Sequence, residues 1–296
     1  MKPERAFAQY HPAVLLGYFL AVLLVAMFVV NPVLQLCALG GGILFGAMLS
    51  RRQELPGDIG FYVPMFLLVS ITNPLFSHNG VTPLFFLNGN PVTLEAFVYG
   101  AALGVTVIGV MLWCRCYQRV MSSDKFLYLC GRALPRLGLV LSMALRFVPR
   151  FKRQMRRVSA AQKAMGLYTS RSVVSRLQST LRVLGAMVAW SLENALDTAA
   201  SMKARGYGSG RRTQYSLFRF RAADGWLLGA TLVLCGAALA AVAAGQLRFY
   251  YYPRVSALPT SPGAIGGYVA FGGLSFLPFI LEVKEALVWK YYVSRI

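Results

Sequence analysis

LEAFVYGAALGVTVIGVMLWC, residues 94–114, holds one charge, Glu95, at its very edge, and runs straight into Arg115 and Arg119. About 20 mostly apolar residues cross the hydrocarbon core of a bilayer as a helix. The stretch therefore predicts a membrane span that stops at a basic boundary. Working upstream, IGFYVPMFLLVSITNPLF (59–76), VLQLCALGGGILFGAML (33–49) and PAVLLGYFLAVLLVAMFVV (12–30) read as further spans, with Pro64 and Pro74 expected to kink or end the first of these. The 12–30 stretch is expected to be retained. Its apolar core is too long for a signal peptide, and no small-x-small site follows before Asn31-Pro32. Downstream, WLLGATLVLCGAALAAVAAG (226–245) and AIGGYVAFGGLSFLPFILEV (264–283) complete the set.

The chain is 57% hydrophobic and 14% charged, yet its net charge is +20. Apolarity and basicity must therefore be segregated. With the N-terminus in the cytoplasm and the spans alternating, all but two of the 30 Lys and Arg fall on the cytoplasmic side; Arg248 and Arg254 are the exceptions. That asymmetry is the positive-inside pattern, and it puts both termini in the cytoplasm. Most of the charge lies in 115–225, which is too long to be a loop without structure of its own. The predicted organisation is an N-terminal membrane bundle (1–114), a cytoplasmic helical region (115–225) and C-terminal membrane segments (226–296). The predicted class is an all-α polytopic membrane bundle of about five to six spans with long amphipathic helices inserted.

Two such helices can be read. Over 147–165, Phe147, Phe151, Met155, Val158 and Met165 recur at helical spacing, with Arg150, Lys152, Arg153, Arg156, Arg157 and Lys163 between them. Over 174–203, Leu177, Leu181, Leu184, Val188, Leu192, Ala195, Ala199 and Met202 do the same. Each helix meets a stop signal, Gly166 or Gly206. The two ends repeat one another: Lys163-Ala164-Met165-Gly166 and Lys203-Ala204-Arg205-Gly206, each followed within two residues by Tyr. Basic amphipathic helices lie on anionic lipid or pack against a partner protein. Nucleic acid is excluded as a partner, because no basic–aromatic interleaving or nucleic-acid motif is present. Two similar ends suggest two similar receptors. An Arg near a helix C-terminus suits the helix dipole, and the following Gly lets the chain turn so that the side chain projects.

NPLFSHNGVTPLFFL (73–87), LSMALRFVPRFKRQMRRVSAAQKAMG (141–166) and SMKARGYGSG (201–210) carry a family likeness. Over about residues 10–245 the chain resembles the transmembrane T component of energy-coupling factor transporters, a class of ABC-type importer. The resemblance implies a scaffold in a bacterial or archaeal cell membrane. Its cytoplasmic coupling helices dock on two ABC-type ATPase subunits, and a small membrane S component captures a vitamin or transition-metal ion. ATP-Mg belongs to the ATPases, and no cofactor is expected on this chain. Ala204-Arg205-Gly206, with Lys203, matches the family's second docking motif in full. Ala164-Met165-Gly166, with Lys163, matches the first only in Ala and Gly, since Met165 stands where an Arg is usual. Met can fill an apolar pocket but cannot pair with a carboxylate, a difference of about 1.5–3 kcal/mol, unless Lys163 or Arg171 compensates. Asymmetric docking dominated by Arg205 is therefore expected. Gly42, Gly46, Gly100 and Gly104, in small-xxx-small spacing, are candidates for contact with the S component or for packing within the bundle.

Other chemistry is scarce. The chain has no G-x-x-x-x-G-K-[ST] phosphate loop, so energy would have to come from a partner. Five cysteines and two histidines, His11 and His78, show no metal or redox spacing. Glu193 and Asp197, one turn apart, read as offsets to nearby Arg residues rather than as an active site. A membrane enzyme or a self-contained channel or transporter with lipid-surface basic helices is the alternative. It would need ionisable groups within the spans, and Glu95 and Glu282 only edge them.

Overall fold

A computed structural model describes residues 6–49, 55–77, 79–87, 90–166, 172–210 and 218–294. His78 and Arg171 fall outside these residues. After a short 3-10 turn, Phe7–Gln9, come α1 (Pro12–Phe28), α2 (Pro32–Leu49), α3 (Leu55–Phe76) and α4 (Leu94–Val120). Then follow α5 (Ser123–Ala133), α6 (Pro135–Ala164), α7 (Val173–Ala204), α8 (Ala222–Ala243) and α9 (Pro262–Val293). Strands β1 (Pro83–Leu87) and β2 (Asn90–Thr93) form an antiparallel hairpin between α3 and α4. The chain divides into two compact units, residues 1–126 with 218–296, and 127–217.

In the first unit, α2, α4, α8 and α9 are each long and apolar enough to cross a bilayer, while Pro12–Phe28 and Gly60–Phe76 are shorter apolar helices. The chain is therefore an all-α membrane protein. α3 runs through Pro64 and Pro74 rather than ending at either. Each proline removes one backbone donor, and close packing of α3 on α4 holds the helix together across those gaps. α4 continues past 114 to Val120, since Arg115 and Arg119 are good helix formers. α9 likewise overruns the expected boundary at 283.

The core is aromatic. Phe7, Tyr18, Phe19, Phe45 and Trp113 are fully buried, and Phe7 meets Tyr18, Phe19 and Phe45 edge-on at centroid separations of 5.3, 6.1 and 5.5 Å. Most buried polar groups find internal partners, as an apolar solvent demands, with the Tyr251 hydroxyl and Ser275 Oγ as exceptions. Trp113 Nε1 donates to the Ala38 carbonyl at 2.8 Å, the Tyr18 hydroxyl to the Leu274 carbonyl at 2.8 Å, and Gln35 Nε2 to Thr106 Oγ1 at 2.7 Å.

Most of the charged contacts of this bundle gather at one end. Asp58 at the start of α3 pairs with Arg115 near the end of α4. The buried Asp224 carboxylate accepts the His11 N–H and the Arg221 N–H, both at 2.7 Å, and so caps the starts of α1 and α8 together. Glu282 on α9 accepts the Ala6 and Phe7 N–H groups at 3.3 and 3.1 Å. Lys125 Nζ donates to the Ala8 and Val120 carbonyls. Residues 6–11 are thus clamped by α5, α8 and α9 at once. At the other end Asn31 Nδ2 donates to the Leu247 carbonyl and the Tyr268 hydroxyl, each at 3.2 Å, and Glu95 accepts the Thr82 hydroxyl at 2.7 Å. Glu95 and Arg115 lie twenty residues apart on α4, as do Pro262 and Glu282 on α9. At 1.5 Å per residue that is about 30 Å, the thickness of the hydrocarbon core.

Candidate docking helices

α6 and α7 form the body of the second unit. Pro135 opens α6 at its first turn, where a missing N–H costs nothing. α6 begins well before the expected residue 147 and passes through Pro149. The two helices pack through Phe147 and Trp190, whose rings stack at 5.4 Å and 23°.

The repeated ends fold alike. α6 stops at Ala164 and α7 at Ala204. Met165 and Arg205 are the caps, with φ/ψ of −81°/10° and −83°/8°. Gly166 and Gly206 follow at φ +85° and +80°, the left-handed region open to glycine. The cap N–H groups bond back to Ala161 and Ser201, and the glycine N–H groups to Lys163 and Lys203. At the second end Tyr207 N–H also reaches the Met202 carbonyl at 3.0 Å, which completes a Schellman closure. Lys163, Ala164, Met165, Gly166, Lys203, Ala204, Arg205 and Gly206 are all exposed. Among the described residues Arg205 has no acidic partner. The cation stands at the negative end of the α7 dipole.

The glycines are used differently from one another. Gly42 and Gly46 face α4, a Cβ at Gly42 lying 3.3 Å from Leu112 Cβ and one at Gly46 lying 3.7 Å from Cys116 Sγ. Gly100 and Gly104 face α3; a Cβ at Gly100 would come within 2.5 Å of the Ser70 carbonyl oxygen, and one at Gly104 within 2.8 Å of the Phe66 ring. All four lie where helices of the bundle pack on one another. Glu193 and Asp197 are exposed on α7 and hold no ion pair among the described residues, so the expected offset to Arg is absent there.

The face of α7 is the feature that periodicity alone did not resolve. Ser179, Val183 and Met187 are buried. Leu177, Leu181, Leu184, Val188 and Leu192, the stripe that made the helix look amphipathic, stand on the opposite side and are 43–62% exposed. A helix with two apolar faces shows one period whichever face is covered. The exposure of this many leucines in a row marks an interaction surface.

No family model matches the chain. It is similar to the energy-coupling factor transporter transmembrane protein EcfT of Listeria innocua, 28% identical over 211 residues, which covers 59% of this chain and 78% of the relative. The EcfT proteins of Lacticaseibacillus paracasei and Streptococcus equi are 34% and 36% identical over 102 and 90 residues; those matches cover 39% and 34% of the relatives' length. The repeated likeness, with the helical membrane bundle, makes this chain a homologue of the energy-coupling factor transporter transmembrane proteins, the T components of that transporter class.

Proposed function

We propose that the chain is the coupling subunit of an ATP-driven importer. Two ABC-type ATPases bind ATP-Mg and dock on the ends of α6 and α7, with Lys163-Ala164-Met165-Gly166 in one and Lys203-Ala204-Arg205-Gly206 in the other. Movement of these helices passes to a small membrane S component that carries a vitamin or a transition-metal ion. The observation that carries the reading is the pair of matching, exposed helix ends, one of them tipped by an Arg without an acidic partner among the described residues. An exposed Arg at a helix end is suited to a carboxylate in a groove of a soluble partner, where the charge-assisted contact is strong.

The exposed leucine stripe of α7 supports a second contact, with the apolar helices of the S component. The crowding of Lys and Arg into 115–225 supports a cytoplasmic location for these helices and for both termini. Mild-detergent purification of the chain from its native membranes, followed by mass spectrometry, tests the proposal. Two ATPases, or one in double dose, together with a small membrane protein are expected. Recovery of the chain without any ATPase, under conditions that keep other membrane complexes whole, would overturn it.

A further inference from the structure

α6 and α7 differ in their free surfaces. Where α7 shows leucines, α6 shows cations. Lys152, Arg156 and Lys163 line one edge of α6, and with Ser159 and Met155 they border a groove of about 460 Å³. Arg146, Arg150, Arg153 and Arg157 continue the charge around the helix. All seven side chains are exposed, none has an acidic partner among the described residues, and α6 contains no Asp or Glu. Arg146 and Arg150, Lys152 and Arg156, and Arg153 and Arg157 are like charges one turn apart. Such pairs weaken an isolated helix, and bound anions would relieve that repulsion.

We infer that the basic arc of α6 binds the phosphate headgroups of anionic phospholipid in the bilayer that holds the chain, with Lys152, Arg156 and Ser159 forming the headgroup groove. Three observations favour lipid over other anions. The chain carries helices long and apolar enough to cross a membrane, and α6 is joined to one of them, α4, by the short connection Met121–Leu134. The charge is spread along several turns as single-sign cations, the pattern that reads a charged surface rather than one carboxylate. Exposed Val148 and Met155 border the arc, as apolar residues do on helices that lie at a membrane interface. This role is distinct from docking of the helix ends: the groove runs along α6 from Lys152 to Lys163, and only Lys163 is shared with the end.

Amide hydrogen exchange of the full chain in nanodiscs tests the inference, comparing phosphatidylcholine alone with phosphatidylcholine containing phosphatidylglycerol. Residues 146–160 are expected to exchange more slowly with phosphatidylglycerol, and salt is expected to erase the difference. Lys152→Gln/Arg156→Gln, which leaves the helix-end Lys163 intact, should lower the apparent affinity for phosphatidylglycerol about fivefold per cation removed. Unchanged Trp190 fluorescence in that variant shows that α6 and α7 still pack. Equal exchange in the two lipids would overturn the inference. So would equal protection by inorganic phosphate in phosphatidylcholine discs, which would make the groove a site for free anion, or protection that appears only with added ATPase, which would make the arc a protein-docking surface.

Discussion

Met165 and Arg205 cap two different helices with the same backbone geometry, within 2° in both φ and ψ, and each is followed by a left-handed glycine. The helix ends are interchangeable in backbone and unlike in chemistry. One presents a flexible thioether, the other a permanent cation. Met165→Arg should therefore be accepted without loss of stability, since the site is 67% exposed, and should tighten the hold on an ATPase whose groove keeps an acidic residue. Thermal unfolding and ATPase retention measured on the same preparation check both halves.

Gly206→Ala separates the role of the turn from that of the charge. At φ +80° a Cβ is strained whatever the space around it, at a cost of about 1 kcal/mol or more. The end of α7 is exposed and the strain is local, so the unfolding temperature should fall by no more than about 2–4 °C. ATPase binding should fall, because Arg205 no longer leaves the helix at the same angle.

The packing glycines predict a graded series. Gly100→Ala forces a methyl against the Ser70 carbonyl oxygen at 2.5 Å and Gly104→Ala one against the Phe66 ring at 2.8 Å, whereas Gly46→Ala meets only Cys116 Sγ at an ordinary 3.7 Å. The first two should lower stability by about 1–3 kcal/mol and Gly46→Ala by much less, read as midpoints of thermal unfolding in detergent. Equal effects at the three sites would mean that α3 and α4 are not held as described.

The two faces of α7 should respond in opposite ways. Met187→Ala opens a cavity at a buried site, with a loss of about 2–5 kcal/mol. Leu181→Ser and Val188→Ser, on the exposed stripe, should change stability by less than about 0.5 kcal/mol and yet reduce co-purification of the small membrane partner.

Lys125 is buried where it donates to the Ala8 and Val120 carbonyls, and burial holds its pKa below the ordinary lysine value. The folded chain thus binds that proton less tightly than the unfolded chain. The stability linked to this group is level at lower pH and rises as pH climbs from the lowered pKa to the ordinary one. Lys125→Met should remove that alkaline rise. It should also lower stability by about 1–3 kcal/mol through the two carbonyls left without a donor, as read from unfolding midpoints across pH.

Much of the bundle was legible because a bilayer imposes a length and forbids charge: the stretches around 33–49, 94–114, 226–245 and 264–283 are helices long and apolar enough to cross it. The likeness of the two helix ends was also legible, since four residues with a glycine stop dictate a local closure whatever surrounds them. Contacts made at long range were hidden. Nothing near Phe7 in the chain announces that Glu282, Asp224 and Lys125 will clamp its segment. The glycines at 100 and 104 read equally as an internal or an external surface. The stripe from Leu177 to Leu192 indicated an amphipathic helix, but periodicity does not say which face a neighbour covers, and here the neighbour covers Ser179, Val183 and Met187.

The docking role of Arg205 is tested most directly by quantitative co-purification of ATPase subunits with the wild-type chain, Arg205→Glu and Met165→Ala. Arg205→Glu places a repelling charge where an attractive one stood and should release most of the ATPase, while Met165→Ala should retain most of it. Equal losses from the two variants, or full retention by Arg205→Glu, would contradict docking through that arginine.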